Sequence, residues 1–281
     1  MSNSAFAPLA EFCTRYPRLL VLTGAGCSTA SGIPAYRDDS GNWQHPAPVQ
    51  YKDFVGSAAV RQRYWARSAI GWSRIRNAQP GAAHRAISQL QEDGRITHLV
   101  TQNVDGLHQQ AGSDPVTDLH GRLDQVRCLD CDTLQRRDSF QALLEQSNPD
   151  WRPAARPAPD GDAVLADDDY QRFQVPGCPA CGGTLKPDVV FFGESVPRHR
   201  VGDVRKALAR ADALLVVGSS LMVFSGFRFA REAHQQDIPV AAVNQGRTRA
   251  DELLQLKCNH DCNTALPALR SLLQGSEMAE S

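Results

Sequence analysis

Leu19-Leu20-Val21-Leu22-Thr23-Gly24-Ala25-Gly26-Cys27-Ser28-Thr29-Ala30-Ser31-Gly32-Ile33-Pro34-Ala35-Tyr36-Arg37 is the stretch whose reading decides the fold. Its opening run is apolar without polar alternation, the pattern of a parallel strand covered on both faces. Gly24 and Gly26 then remove two Cβ atoms where such a strand is expected to turn into a helix. Backbone N–H groups could there approach a phosphate that the helix N-terminus also attracts. This is a dinucleotide site in outline. The usual fingerprint, however, wants a third glycine where Thr29 stands, and no isolated acid follows about 20 residues on to hold an adenosine ribose. An ordinary hydride-transferring oxidoreductase is therefore a weak reading.

Working outward, Ile96-Thr97-His98-Leu99-Val100 is a second buried strand, and it feeds into Thr101-Gln102-Asn103-Val104-Asp105-Gly106-Leu107-His108. Catalytic side chains gather at the carboxyl ends of parallel strands, so this polar run marks a site. Val116-Thr117-Asp118-Leu119-His120-Gly121 is a third strand end. His120 there is the side chain best poised to take a proton at neutral pH. Ala213 to Leu221 gives another strand into a Gly/Ser turn, and Pro239 to Asn244 the last core strand. Between the first and second strands, residues 37 to 80 carry apolar and aromatic residues at helical spacing, read as loop and helices covering the cleft. A further helix is expected from the Gln79-Pro80-Gly81 turn to about Glu92, with His84 packing in its first turn.

Cys128-Leu129-Asp130-Cys131 and Cys178-Pro179-Ala180-Cys181 form a separate constellation. Each pair puts two sulfurs on one knuckle, and four thiolates complete a tetrahedral zinc shell with no open position for water, so the metal is structural. The Pro/Asp-rich segment from Asn148 to Asp169 reads as a loop inserted in this module.

With 281 residues and 42% hydrophobic content, the chain suits one large or two modest domains, on a soft prior of ~150 residues each. A formal net charge of -1 leaves no general electrostatic footprint for nucleic acid or an anionic membrane. Four of eight cysteines lie in the two CxxC pairs, a usage that favours metal in a reducing compartment. The N-terminus has no secretory pattern and no apolar run approaches the ~18 residues of a membrane span. A soluble, cytoplasmic protein is expected.

The first motif resembles the GAGxSxxSGIPxYR signature of the sirtuins, NAD-dependent protein deacylases; Ala35 stands where that family usually has Asp. Thr101 to His108 is similar to the family's TQNVDGLH run, and His120-Gly121 to its catalytic His-Gly. The resemblance covers residues 10 to 270 or so. It implies an α/β fold: a Rossmann-like parallel-sheet large domain, residues 1–124 and 185–273, with a small zinc-binding module, 125–184, inserted in it. Residues 274–281 are expected to be a disordered tail.

By matching positions, the resemblance implies that His120 acts as general base, with Asn103 beside it. Gln102, Asn103 and Val104 would hold the ribose region and Asp105 the nicotinamide carboxamide. Gly24, Ala25, Gly26, Ser28, Ile33, Tyr36 and Arg37 would line the ribose-phosphate and nicotinamide side. Gly218, Ser219, Ser220, Asn244, Gln245, Gly246 and Cys262 would bind the adenosine side. Val190, Phe191, Phe192, Gly193 and Glu194 would pair with substrate.

NAD would be consumed as co-substrate and one Zn²⁺ held by Cys128, Cys131, Cys178 and Cys181. The products implied are lysine, nicotinamide and O-acyl-ADP-ribose, and the partners acyl-lysine proteins or peptides. A mono-ADP-ribosyltransferase using the same pocket is the open alternative. A zinc-ribbon nucleic-acid binder is disfavoured by the acids Asp130, Asp132 and Asp167 to Asp169 around the cysteines. Arg61 to Trp72 resembles a mitochondrial-type (class II) branch. Tyr64 and Arg67, three apart on one helix face, are similar to a Tyr-x-x-Arg pair that recognises acidic acyl groups.

Overall fold

The structure, a computed structural model, describes residues 3–35, 48–151, 156–157, 163–164 and 170–280. In chain order its elements are α1 (Ala7–Arg15), β1 (Leu19–Thr23), α2 (Tyr51–Gly56), α3 (Ala58–Asn77), α4 (Ala82–Glu92), β2 (Ile96–Thr101), α5 (Leu107–Gln110) and β3 (Val116–Asp118). Next come β4 (Gly121–Cys128), β5 (Leu134–Arg136), α6 (Arg137–Ser147), β6 (Arg156–Pro157), β7 (Ala163–Val164) and β8 (Leu185–Val189). The chain ends with α7 (Arg198–Leu208), β9 (Ala213–Val217), α8 (Phe224–Gln235), β10 (Val240–Val243), β11 (Leu256–Cys258) and α9 (Cys262–Glu280).

The main sheet runs β11-β10-β9-β1-β2-β3, and every pairing in it is parallel. Strand β1, buried along its whole length, sits at the centre with β2 on one side and β9 on the other. Successive side chains of a strand point to opposite faces, so Leu19 and Val21 join one core with α1, α4 and α9, through Leu9, Ile87 and Leu269. Leu20 and Leu22 join the other core with α7 and α8, through Val204 and Phe229. Both cores are apolar; truncating a side chain such as Leu22, 1% exposed, to alanine would cost about 2–5 kcal/mol. The strand order reverses beside β1, and a crevice for ligand opens there, outside the carboxyl ends of β1, β2 and β9.

A second, antiparallel sheet, β5-β4-β8, carries the cysteine knuckles. Its core takes Val126, Phe140, Phe173 and Leu185 together with Phe54, Tyr64 and Trp65 of α2 and α3. The Trp65 indole N–H donates to the Leu185 carbonyl at 3.1 Å, and the buried Arg137 lies over the rings of Trp65 and Trp72. The small lobe is thus larger than the cysteine module alone. The sequence reading returns the chain to the large domain at 185 and keeps α2 and α3 there, whereas β8 pairs with β4 and both helices pack on the small sheet. The last helix also runs to Glu280, past the point at 273 where the ordered domain is expected to stop. No described helix is long and apolar enough to cross a membrane.

Candidate active site

A cleft of about 910 Å³ opens at the switch point. Its lining includes Gly24, Ala25, Gly26, Ser28, Ile33, Gln102, Asn103, Val104, Asp105, Gly218, Ser219, Ser220, Asn244, Gln245 and Cys262. It also includes His120, Tyr64, Arg67 and the run Val190, Phe191, Phe192, Gly193 and Glu194. The strand ends thus bring together nearly all the residues picked out from sequence. Gly246 is the exception: it does not line the cleft. Its φ of 74° and its N–H bond to Asn259 Oδ1 at 2.9 Å make it a turn residue. Tyr36 and Arg37 lie outside the described residues.

The glycine turn differs from the expectation. No α-helix forms directly after β1 among the described residues 24–35; the chain takes two short 3₁₀ turns, Ala25–Cys27 and Thr29–Ser31. The Gly24 and Gly26 N–H groups are not offered to a ligand either, since they donate to Val217 and Gly218 carbonyls at 3.0 and 2.8 Å. A Cβ on Gly26 would lie 2.8 Å from Gly218 Cα, and one on Gly24 2.7 Å from Ser219 Cβ. The two glycines let the turn after β1 press against the turn after β9. Among the described residues the Ala25 N–H has no acceptor, and it stands in the cleft wall, a donor suited to a phosphate or ribose oxygen.

Behind this turn runs a hydrogen-bond chain. The Gly81 N–H donates to His84 Nδ1 at 3.0 Å, which leaves His84 Nε2 to carry the proton and face Ser28 Oγ at 3.4 Å. Ser28 Oγ–H donates to Asp105 Oδ2 at 2.7 Å and accepts from Asn103 Nδ2 at 3.1 Å. Asp105 Oδ1 accepts the Leu107 N–H at 2.9 Å, and Asn103 Nδ2 also reaches the Gly24 carbonyl at 3.0 Å. Gln102 is clamped between the Thr23 carbonyl and Ser219 Oγ. His84, expected only to pack, is therefore also the far end of the relay that aims Asn103 and Asp105. Burial holds the imidazoles of His84 and His108 below the usual histidine range, and the two rings meet edge-on at 4.7 Å.

His120 stands at the junction of β3 and β4. Its Nδ1 lies 2.9 Å from the Gln102 carbonyl, which can only accept, so Nδ1 carries the proton and Nε2 the lone pair. Nε2 receives the Ser225 hydroxyl at 2.7 Å. Burial pushes the His120 pKa down to about 4, with Arg200 and Arg228 adding to the effect. At neutral pH the residue is thus an unprotonated base in a fixed tautomer. Ser225 is absent from the sequence reading; applying the strand-end rule to β9 as far as α8 would have found it.

The cleft wall formed by residues 190–194 is braced by a buried cation. Lys186, 5% exposed, meets Glu194 Oε2 at 3.1 Å and lies 4.8 Å from the Phe191 ring centre. Glu194 Oε2 also accepts the Phe191 N–H at 2.8 Å. Burial lowers the Lys186 pKa against the pull of Glu194. Tyr64 packs edge-on against Phe54, Trp65 and Phe191.

Cys128, Cys131, Cys178 and Cys181 place all four Sγ atoms within 4.8 Å of one another. A tetrahedron with zinc–sulfur bonds of ~2.3 Å has edges of ~3.8 Å. The Cys128–Cys181 and Cys131–Cys178 separations are 3.6 and 3.8 Å, so the set fits one zinc ion.

A doubly wound sheet with a crevice at its switch point, a neutral histidine base inside that crevice and a four-cysteine cluster able to hold one zinc beside it define a Rossmann-like enzyme with a metal-module class of small lobe. The chain belongs to the Sir2 family, whose model matches residues 24–225. It is 57% identical over 264 residues to the NAD-dependent protein deacetylase of Xanthomonas axonopodis pv. citri, covering 94% of this chain and 90% of that one. It is 48% identical to the NAD-dependent protein lipoamidase sirtuin-4, mitochondrial, of Bos taurus, covering 93% of this chain and 84% of the relative. A solved structure described as "Sir2-p53 peptide-NAD+" superposes with a TM-score of 0.75 at 28% identity, covering 98% of this chain and 99% of that one.

Proposed function

We propose that this chain removes acyl groups from protein lysine side chains, consuming NAD and giving nicotinamide and O-acyl-ADP-ribose. The observation that carries the reading is His120: a buried imidazole, neutral at working pH, with its lone pair on the cleft side and its other nitrogen tied to the Gln102 carbonyl. NAD, when bound, supplies a ribose carbon activated by loss of nicotinamide. The chain's own groups then have separate tasks. Asn103 and Asp105, aimed by the Ser28–His84 relay, hold the ribose and the nicotinamide carboxamide respectively, and an amide and a carboxylate suit positive charge developing on the ribose. His120 Nε2 gives up the Ser225 hydroxyl to take a proton from a ribose hydroxyl, so that the oxygen can attack the acyl carbon. Phe191 to Glu194, pinned by Lys186, shapes the lysine channel.

The acyl end meets Tyr64, Phe191 and Arg67, an apolar wall with one guanidinium. This suits acyl chains longer than acetyl, and a terminal carboxylate most of all; the lipoamidase among the relatives is consistent with a roomy channel. The reading takes no nucleic-acid partner, because the cysteine module carries Asp130 and Asp132 at its surface, and it places the protein in the cytoplasm. The test is a panel of acetyl-, succinyl-, glutaryl- and lipoyl-lysine peptides with NAD, scored by released nicotinamide and by mass of the ribosyl product. Free O-acyl-ADP-ribose is expected, and Arg67→Met should remove any preference for the dicarboxylic acyl groups while sparing acetyl turnover. ADP-ribose attached to protein, with the acyl group left on lysine, would overturn the proposal.

A further inference from the structure

Although the whole chain is near neutral, its charge is uneven around the cleft mouth. Phe224, at the start of α8, is 42% exposed and lines the cleft. Three guanidinium carbons gather on its ring, those of Arg231, Arg228 and Arg249 at 5.1, 5.3 and 5.9 Å, and Arg249 lies 4.5 Å from the Phe227 ring. Arg198 and Arg247 line the same opening. Among the described residues none of these five arginines has an ion pair. The carboxylates nearby are already engaged: Glu232 of α8 with Arg205 at 2.6 Å, Glu194 with Lys186, and Asp261 with the Asn263 N–H. The Arg228 Nε is buried and has no hydrogen-bond partner among the described residues.

A guanidinium held over an aromatic face keeps its N–H edge turned outward, and that edge is a fork matched to a carboxylate; Arg249 already uses part of its edge, donating Nη1 to the Met222 carbonyl at 3.2 Å. The position of this cluster matters as much as its charge. Phe224 is the immediate neighbour of Ser225, whose hydroxyl rests on His120. An acyl-lysine that reaches His120 therefore brings the residues beside it in its own chain to this rim. Resting on the deacylase reading above, we infer that the arginine-collared Phe224 is a specificity surface that selects acyl-lysines flanked by aspartate or glutamate. A nucleic acid is the less favoured occupant. The collar is a compact knot at the rim of a cleft rather than a stripe able to follow a phosphate backbone over the 6–10 contacts that strong electrostatic binding uses.

The experiment uses full-length zinc-loaded protein and fluorescein-labelled peptides with one acetyl-lysine, flanked by two glutamates, two glutamines or two arginines. Anisotropy reads binding, and nicotinamide release with NAD reads turnover. Each glutamate should tighten binding by roughly 2- to 5-fold over glutamine at moderate salt, with the gap shrinking at high salt. Arg231→Glu, at an exposed position whose ring contact is Phe224 alone, should cut the glutamate-to-glutamine ratio severalfold. It should do so with the melting temperature and the KM for NAD unchanged. Acidic preference in binding without turnover on any peptide would leave this inference standing and remove the deacylase reading instead. Equal affinity for all three peptides would overturn it. So would a ratio that Arg231→Glu leaves alone, a shifted KM for NAD that assigns the collar to the pyrophosphate, or loss of single-stranded DNA binding in place of peptide discrimination.

Discussion

Strand β4 joins two sites that treat their polar atoms in opposite ways. At its first residue it leaves His120, and at its last it supplies Cys128. The cysteine end is closed: four sulfurs face one another, and a bound zinc would have no coordination position left. At the histidine end each functional group has one valence fixed and one available. His120 is tied through Nδ1 and holds at Nε2 only the Ser225 hydroxyl, which it can release, and Asn103 is tied through its amide nitrogen while its Oδ1 accepts nothing among the described residues. Saturated polar groups contribute folding energy; half-satisfied ones, held by a second set of partners, are what a substrate can complete.

The largest effect that could break this contrast is loss of metal. Chelation, or Cys178→Ser, should unfold or aggregate the small lobe, because the binding free energy of a closed thiolate site is folding free energy, on the order of 10 kcal/mol. Near-ultraviolet circular dichroism and a zinc assay check this. A zinc-free sample that stays folded, monodisperse and active would erase the distinction.

Next in size, His120→Ala should lower deacylation by about 10²- to 10⁴-fold with zinc content and melting temperature near the parent values. The same residue sets a pH dependence. A base with a pKa of about 4 is neutral above that value, so its acid limb should lie below the usual histidine range and not near pH 6.5. Stability should follow the same sign. Imidazoles depressed by burial, as at His84 and His108, bind protons more readily when unfolded, so stability held above pH 6.5 is lost as pH falls toward their folded pKa values. Urea melts at pH 7.5, 6 and 5 should show the midpoint dropping. An unchanged midpoint would mean that these rings are solvated in the folded protein.

The smallest effect sharpens the contrast within the cleft itself. Gly26→Ala should cost about 1–3 kcal/mol and raise the KM for NAD, since the new methyl meets the backbone of Gly218 rather than a side chain that can swing aside. If the variant matched the parent in both respects, the turn would be free to shift and the glycine would serve no packing role.

Much of this was legible in the sequence because its signals are local. An apolar run and the polar residues that follow it lie within one strand and its turn, which placed Asn103, Asp105 and His120 at strand ends. Two CxxC pairs declare their geometry by spacing alone. What escaped is non-local. Ser225 meets His120 across 105 positions, and no short pattern announces the pairing. The partner of Gly26 is backbone at Gly218, which no residue type encodes. Leu185–Val189 is buried on both faces except at Asp188, so its burial pattern fits either sheet, and only its pairing with β4 assigns it to the smaller one. The aromatic residues between 37 and 80 read as helical, but which lobe Tyr64 and Trp65 cover is decided by Phe140 and Phe173, far along the chain.

The contact between the turns after β1 and β9 also imposes an order in time. Cys27 Sγ lies 3.6 Å from the Val217 carbonyl, a separation of 190 positions in sequence, and everything between them includes the entire small lobe. The first motif to leave the ribosome is therefore among the last to be finished. Until β9 has been made, Gly24 and Gly26 have nothing to press against, and a chain cut short before residue 218 has no cofactor turn. Synthesis itself then acts as a check: the turn after β1 is completed only in a protein whose cysteine-bearing small lobe has already been made.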